Sequence, residues 1–212
     1  GAGGMVAGGT AVPLGVVGSS SSRVSIGVFC NSPEVNGFQV NTTFATKEAN
    51  QGAALIGTGT AANPQYRVGA EASANPYSIS ATYKNGPGAI MLAAERNAVE
   101  TRLMSIAAYV MATPELKLMA AHTRQDQDHT RLINSETKSW LVGANYMVGA
   151  NRFIAGYGQK SPDGLSKTKQ ISLGLEHSLS KRTYVYFDIS NKKGPTTPPS
   201  INHYAIGVNH AF

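Results

Sequence analysis

Metal binding, proton transfer and nucleophilic attack draw on histidine, cysteine, carboxylates and activated hydroxyls. The chain offers 5 His, 1 Cys and 12 Asp plus Glu in 212 residues. Their spacing does not build a site. The run Gln125-Asp126-Gln127-Asp128-His129 is the densest set of possible metal ligands, but no further ligand accompanies it, and a solvated loop tip is expected. The histidines lack HExxH spacing, and no GxSxG elbow occurs. Gly57-Thr58-Gly59-Thr60 has no strand-to-helix context, so it is read as a loop rather than a phosphate cradle. Asn41-Thr42-Thr43 fits a glycosylation sequon but falls mid-strand. The single Cys30 excludes an internal disulfide and a multi-cysteine zinc site. No acid, base and nucleophile converge, so neither an enzyme nor a cofactor is expected.

What remains is charge and its patterning. Charged residues are only 14%, against roughly 25% in ordinary soluble domains. Lys plus Arg number 18, giving a net charge of +6. The basic residues are scattered, whereas nucleic-acid binders gather them in a patch, so no nucleic-acid partner is expected. No apolar run approaches the length of a transmembrane helix.

The elements that position these charges have a period of two. Tyr77, Ile79, Ala81 and Tyr83 alternate with Ser78, Ser80, Thr82 and Lys84. Ile171, Leu173, Leu175 and His177 alternate with Gln170, Ser172, Gly174, Glu176 and Ser178. The same rhythm runs through 38–44, 182–190 and 204–212, and further strands are predicted over 23–30, 89–96, 102–111, 115–124, 139–147 and 152–160. About eleven strands result, with a possible short addition at 66–72. Short connections rich in Gly, Pro or Asn alternate with mostly longer polar ones. That order predicts an all-β antiparallel meander with its tight turns at one end.

Alternation alone does not say which face meets water. In a soluble sandwich the apolar face packs inward; in a membrane barrel it faces lipid around a watery lumen. Strands of about ten residues suit an oblique bilayer crossing of ~9–11. The apolar set is mild, and the polar set is rich in Gly, Ser, Thr and Gln. Aromatics collect at strand ends: Phe38, Tyr83, Tyr109, Tyr146 and Phe212 towards the short turns, and Phe44, Tyr77, Trp140, Phe187 and Tyr204 towards the other end. These features favour the barrel.

Several stretches resemble the general trimeric porins of Gram-negative outer membranes, of beta-proteobacterial type. They are Val28-Phe29-Cys30-Asn31-Ser32-Pro33 with Asn36-Gly37-Phe38, then Tyr83-Lys84-Asn85-Gly86-Pro87, then the run from Leu179 to Tyr186. The terminal Tyr204-Ala205-Ile206-Gly207-Val208-Asn209-His210-Ala211-Phe212 is similar to that family's last strand. The resemblance implies a transmembrane β-barrel of sixteen strands, of which residues 23–212 would supply the last eleven. A piece of a longer product is therefore expected, with Gly1–Ser22 as the tail of the pore-constricting loop. Phe29 and Cys30 depart from the family, which often has a basic residue and Tyr there.

The resemblance further implies passive diffusion of small hydrophilic solutes and ions across the outer membrane. Alternation then puts Arg23, Lys84, Glu95, Lys117, Arg152, Lys160, Arg182, Tyr184, Tyr186 and Asp188 on the lumen face. Cations outnumber acids there, so weak anion preference is expected. Tyr204, Ile206, Val208, His210 and Phe212 would form the signal read by the barrel-assembly machinery. The other implied partners are a homotrimer, the lipid bilayer and lipopolysaccharide. Two rival readings stay open: a substrate-specific channel or adhesin barrel using the loop Lys47–Pro76, and a soluble all-β binding module.

Overall fold

The computed structural model describes residues 27–46, 75–96, 102–126, 136–195 and 199–211. They form one antiparallel sheet whose eleven strands follow chain order without a crossover. The strands are β1 Gly27–Asn31, β2 Phe38–Ala45, β3 Tyr77–Asn85, β4 Gly88–Arg96, β5 Arg102–Met111 and β6 Leu116–Asp126. They continue as β7 Glu136–Val148, β8 Asn151–Pro162, β9 Thr168–Ser180, β10 Thr183–Lys193 and β11 Ser200–His210. The expected meander is present, and each strand overlaps its predicted span. Tyr66–Ala72, Arg23, Phe212, Gly1–Ser22 and most of Lys47–Pro76 lie outside the described residues.

Tight turns close one end. Between β1 and β2, Asn36 (φ 51°) and Gly37 (φ 80°) reverse the chain, with Val35 and Phe38 exchanging backbone hydrogen bonds of 2.9 Å. Positive φ at both central positions is the signature of a type I′ turn and suits Asn-Gly. The Thr113 hydroxyl accepts from the amides of Glu115 and Leu116, pinning the β5–β6 turn. One register shift, at Thr183 and Tyr184, leaves Leu179 as the extra residue of a β-bulge beside the β9–β10 turn.

Burial is inverted relative to a water-soluble protein. Ala45 is the one buried hydrophobic residue among those described, whereas Gln125, Ser139, Gln170, Ser172, Glu176, Asp188 and Ser190 are buried. The large apolar side chains Ile171, Leu173, Val142, Phe187 and Ile206 are exposed. Side chains on a concave face converge and shield one another, and those on a convex face splay apart. The polar set therefore occupies the concave face. A hydrophobic core of the kind that drives folding in water has no counterpart here. The ladder hydrogen bonds supply the cohesion, because lipid offers backbone groups no other partner.

The apolar face carries two aromatic levels. Phe38 pairs with Tyr83 and Tyr146 with Phe153 near the short turns. Phe44 pairs with Tyr77 near the long connections, where the Trp140 and Tyr157 rings lie 5.2 Å apart. Three aromatics differ from expectation. Tyr204 stands mid-strand on β11, opposite Ile189 and in one row with Leu173. Tyr109 shares the polar face, because it stands opposite Ala89 and Met119. Facing on β5 was not legible in sequence, since both of its alternating sets are apolar. Phe187 joins the short-turn level through the row Phe187, Leu175, Phe153 and Tyr146.

Candidate lumen wall

Directly paired residues of an antiparallel sheet point to the same face, so register assigns the concave wall row by row. One row runs Met147, Arg152, Glu176, Tyr186 and Gly207. The next runs Lys117, Asn145, Ile154, Gly174, Asp188 and Ala205. A third holds Tyr109, Met119, Gly143, Gly156, Ser172, Ser190 and His203. A fourth crosses Leu141, Gly158, Gln170, Lys192 and Ile201.

Arg152 and Glu176 form an ion pair on the wall, made directly across β8 and β9. The Glu176 side chain is 8% exposed and that of Arg152 is 42% exposed. The pair thus masks an acid while leaving the Arg152 side chain partly open to the concave side. Beside it the Tyr186 ring lies across Gly207, where any Cβ would collide with the phenol. A glycine opposite an aromatic lets the ring cover bare backbone in a strand. Tyr184 stands next along β10, its ring 6.4 Å from that of Tyr186. The Lys117 ammonium sits over the Tyr109 ring at 4.1 Å. This cation–π contact holds a long, flexible side chain against the wall. Asp188 is buried at 3% exposure, in the same row as Lys117.

Of the residues expected to line a pore, Lys84, Glu95, Lys117, Arg152, Lys160, Tyr184, Tyr186 and Asp188 fall on the concave face by register. Lys84 sits at the short-turn rim, bridged to Glu34 at 3.0 Å. Arg182 falls elsewhere: it is exposed in the β9–β10 turn, where its carbonyl accepts from the Ala211 amide. The predicted strand began one residue too early, because Lys181–Arg182 is the turn. Arg23 is outside the described residues. Two charged wall residues among those described were absent from the expected set. Lys192 lies beyond the predicted end of β10, although the alternation Asp188, Ser190, Lys192 continues in sequence. Glu176 was visible on a polar face, but its partner Arg152 emerges only from register.

On β11, Tyr204, Ile206, Val208 and His210 share the convex face, and the His210 Nδ1 lies 2.8 Å from the Thr183 hydroxyl. Gln125 and Asp126 end β6, and 127–129 lie outside the described residues.

Comparison with known proteins places this wall in context. The profile described as Gram-negative porin matches residues 1–197. Outer membrane porin protein 32 of Delftia acidovorans is 29% identical over 207 residues, covering 84% of this chain and 58% of that protein. Among solved structures, the anion-selective porin from Comamonas acidovorans superposes with a TM-score of 0.67 at 21% identity, over 90% of this chain and 60% of that one. OmpT of Vibrio cholerae gives 0.63 at 10% identity, over 88% and 64%. These structural likenesses establish the fold: a porin β-barrel sheet. The chain spans about three-fifths of the length of the first two relatives.

Proposed function

The chain belongs to the Gram-negative porin family of the bacterial outer membrane, and on that premise we propose that it supplies the wall of a passive channel for small hydrophilic solutes and ions. The inverted burial supports this reading most directly. Polar and charged side chains crowd the concave face, while exposed apolar residues cover the convex one. Such a wall can conduct without chemistry, because solutes exchange hydration water for side-chain and lumen water as they pass.

The channel prefers anions weakly. Lys84, Lys117, Arg152, Lys160 and Lys192 on the concave strands outnumber Glu95, Glu176 and Asp188. Arg152 is partly cancelled by Glu176 and Lys84 by Glu34, so the preference is modest. Gly1–Ser22 serves as the tail of a loop that narrows the pore, and Arg23 continues the basic wall. Tyr204, Ile206, Val208 and His210 of β11, together with Phe212, present the signal for barrel assembly. The working unit is a homotrimer in a bilayer containing lipopolysaccharide.

The test is planar-bilayer recording of the detergent-refolded chain under a salt gradient. Discrete conductance steps with a small anion-favouring reversal potential are expected. Steps with a cation-favouring potential would overturn the selectivity, and absence of steps would overturn channel formation by this chain. Glu176→Gln is expected to move the reversal potential further towards anions, because it unmasks Arg152 while keeping a hydrogen-bond acceptor beside it. An unchanged potential would remove the Arg152–Glu176 pair from the conduction path.

A further inference from the structure

The concave wall near the short turns carries two rings side by side. Tyr184 and Tyr186 share that face of β10, with ring centroids 6.4 Å apart and planes tilted by 54°. The other aromatic residues described on the concave face stand apart from one another: Phe29 on β1, and Tyr109 under the Lys117 ammonium. Covering bare backbone accounts for Tyr186, which lies over Gly207. It does not account for Tyr184, whose cross-strand neighbours are Ser178 and Asn209. Both neighbours are short and exposed, and Tyr184 itself is half-buried. One row deeper, Asp188 stands between Gly174 and Ala205, so small residues border the rings on that side too.

Charge beside the rings is balanced. Glu176 stands directly opposite Tyr186 and is paired with the partly open Arg152. An anion settling on the rings would lie beside the carboxylates of Glu176 and Asp188, and a cation beside the Arg152 guanidinium. A neutral solute rich in hydroxyl groups meets neither penalty. Its hydroxyls can accept from the guanidinium and exchange hydrogen bonds with Ser178 and Asn209. Its weakly positive C–H face matches the negative face of an aromatic ring.

We infer that Tyr184 and Tyr186 form a subsite for neutral pyranose sugars at the short-turn mouth of the lumen, with Arg152, Ser178 and Asn209 as hydrogen-bonding partners. A few placed polar groups beside apolar surface are the usual make-up of a small-molecule site. The inference deepens the channel reading and rests on it, since the concave face must be the wet one. It makes passage of such sugars saturable, whereas simple diffusion is linear in concentration.

Binding is measured apart from conduction, so that the two readings fail separately. Saturation-transfer NMR of the detergent-refolded full chain, with maltose as probe, should show transfer to the sugar C–H protons. That transfer should saturate with a dissociation constant of roughly 1–10 mM. Tyr184→Ala leaves Tyr186 over Gly207 and should weaken maltose binding about fivefold. Tyr184→Phe keeps the ring face and should stay within about twofold of the parent. Equal losses in the two variants would overturn the inference. So would transfer that rises linearly with maltose, or that survives Tyr184→Ala unchanged. Tighter binding of benzoate than of maltose by the same method would also overturn it, in favour of an aromatic anion. Each of these results would leave the porin reading intact, because conductance steps test that reading on their own.

Discussion

Leu173→Arg is expected to destabilise the inserted protein by about 2–4 kcal/mol. Leu173 sits near the middle of β9 on the convex face, 53% exposed, opposite Ala155 on one side and Ile189 on the other. In a water-soluble sheet, a half-exposed site of this kind would accept arginine within roughly 0.5 kcal/mol. In a bilayer the guanidinium meets hydrocarbon, and midstrand leaves it the longest reach to the headgroups. Urea unfolding from phosphatidylcholine vesicles, followed by Trp140 emission, measures the difference. Leu173→Ala serves as reference, since it removes the side chain without adding charge. A Leu173→Arg midpoint equal to that of Leu173→Ala would contradict the lipid-facing assignment.

Gly37→Ala should cost about 3–5 kcal/mol, combining positive-φ strain with steric overlap. At φ 80° a side chain is disfavoured in any surroundings. Here a Cβ would also stand 2.0 Å from the Lys84 carbonyl oxygen. That carbonyl belongs to backbone held in the ladder, and the Gly37 carbonyl itself accepts from the Lys84 amide at 2.8 Å. Neither side of the contact yields without breaking the β2–β3 pairing. Gly86→Ala is the matched control: φ is also positive, at 53°, but the space around its Cβ is open. The two variants therefore separate strain from overlap. Equal losses in the same unfolding assay would show that the close approach to Lys84 contributes nothing.

Much of this architecture was legible because period-two patterning is strong where one face is polar. Ser78, Ser80, Thr82 and Lys84 against Tyr77, Ile79, Ala81 and Tyr83 define β3 almost to the residue. Legibility failed where chemistry was symmetric about the strand. In β5, Leu103, Ala107 and Met111 face one way and Met104, Ile106 and Val110 the other, so Tyr109 could be assigned to either. Strand ends were read short for a different reason. Lys192 and Lys193 look like loop residues by composition, but a barrel strand extends past the hydrocarbon, where charge is tolerated. Their opposite facing, Lys192 to the concave face and Lys193 to the convex one, is a property of the extended strand. The Arg152–Glu176 pair lay beyond sequence reading altogether. The two residues are separated by the β8–β9 connection, and which of several acids meets which base depends on register. The turn residues Asn36 and Gly37 were prominent in sequence, whereas the contact that makes Gly37 irreplaceable comes from β3.

The claim on which the account depends is that the sheet is inside out, with lipid on its apolar face and water on its polar one. Single spin labels at successive positions from 170 to 176 on β9, in a Cys30→Ser background, test it directly. Collision rates with oxygen, which concentrates in lipid, and with a water-soluble nickel chelate should each alternate with period two and in opposite phase. Positions 171, 173 and 175 should favour oxygen, and positions 170, 172, 174 and 176 should favour nickel. Alternation in the same phase, or strong nickel accessibility at 171 and 173, would contradict the account and return the chain to the class of water-soluble β modules.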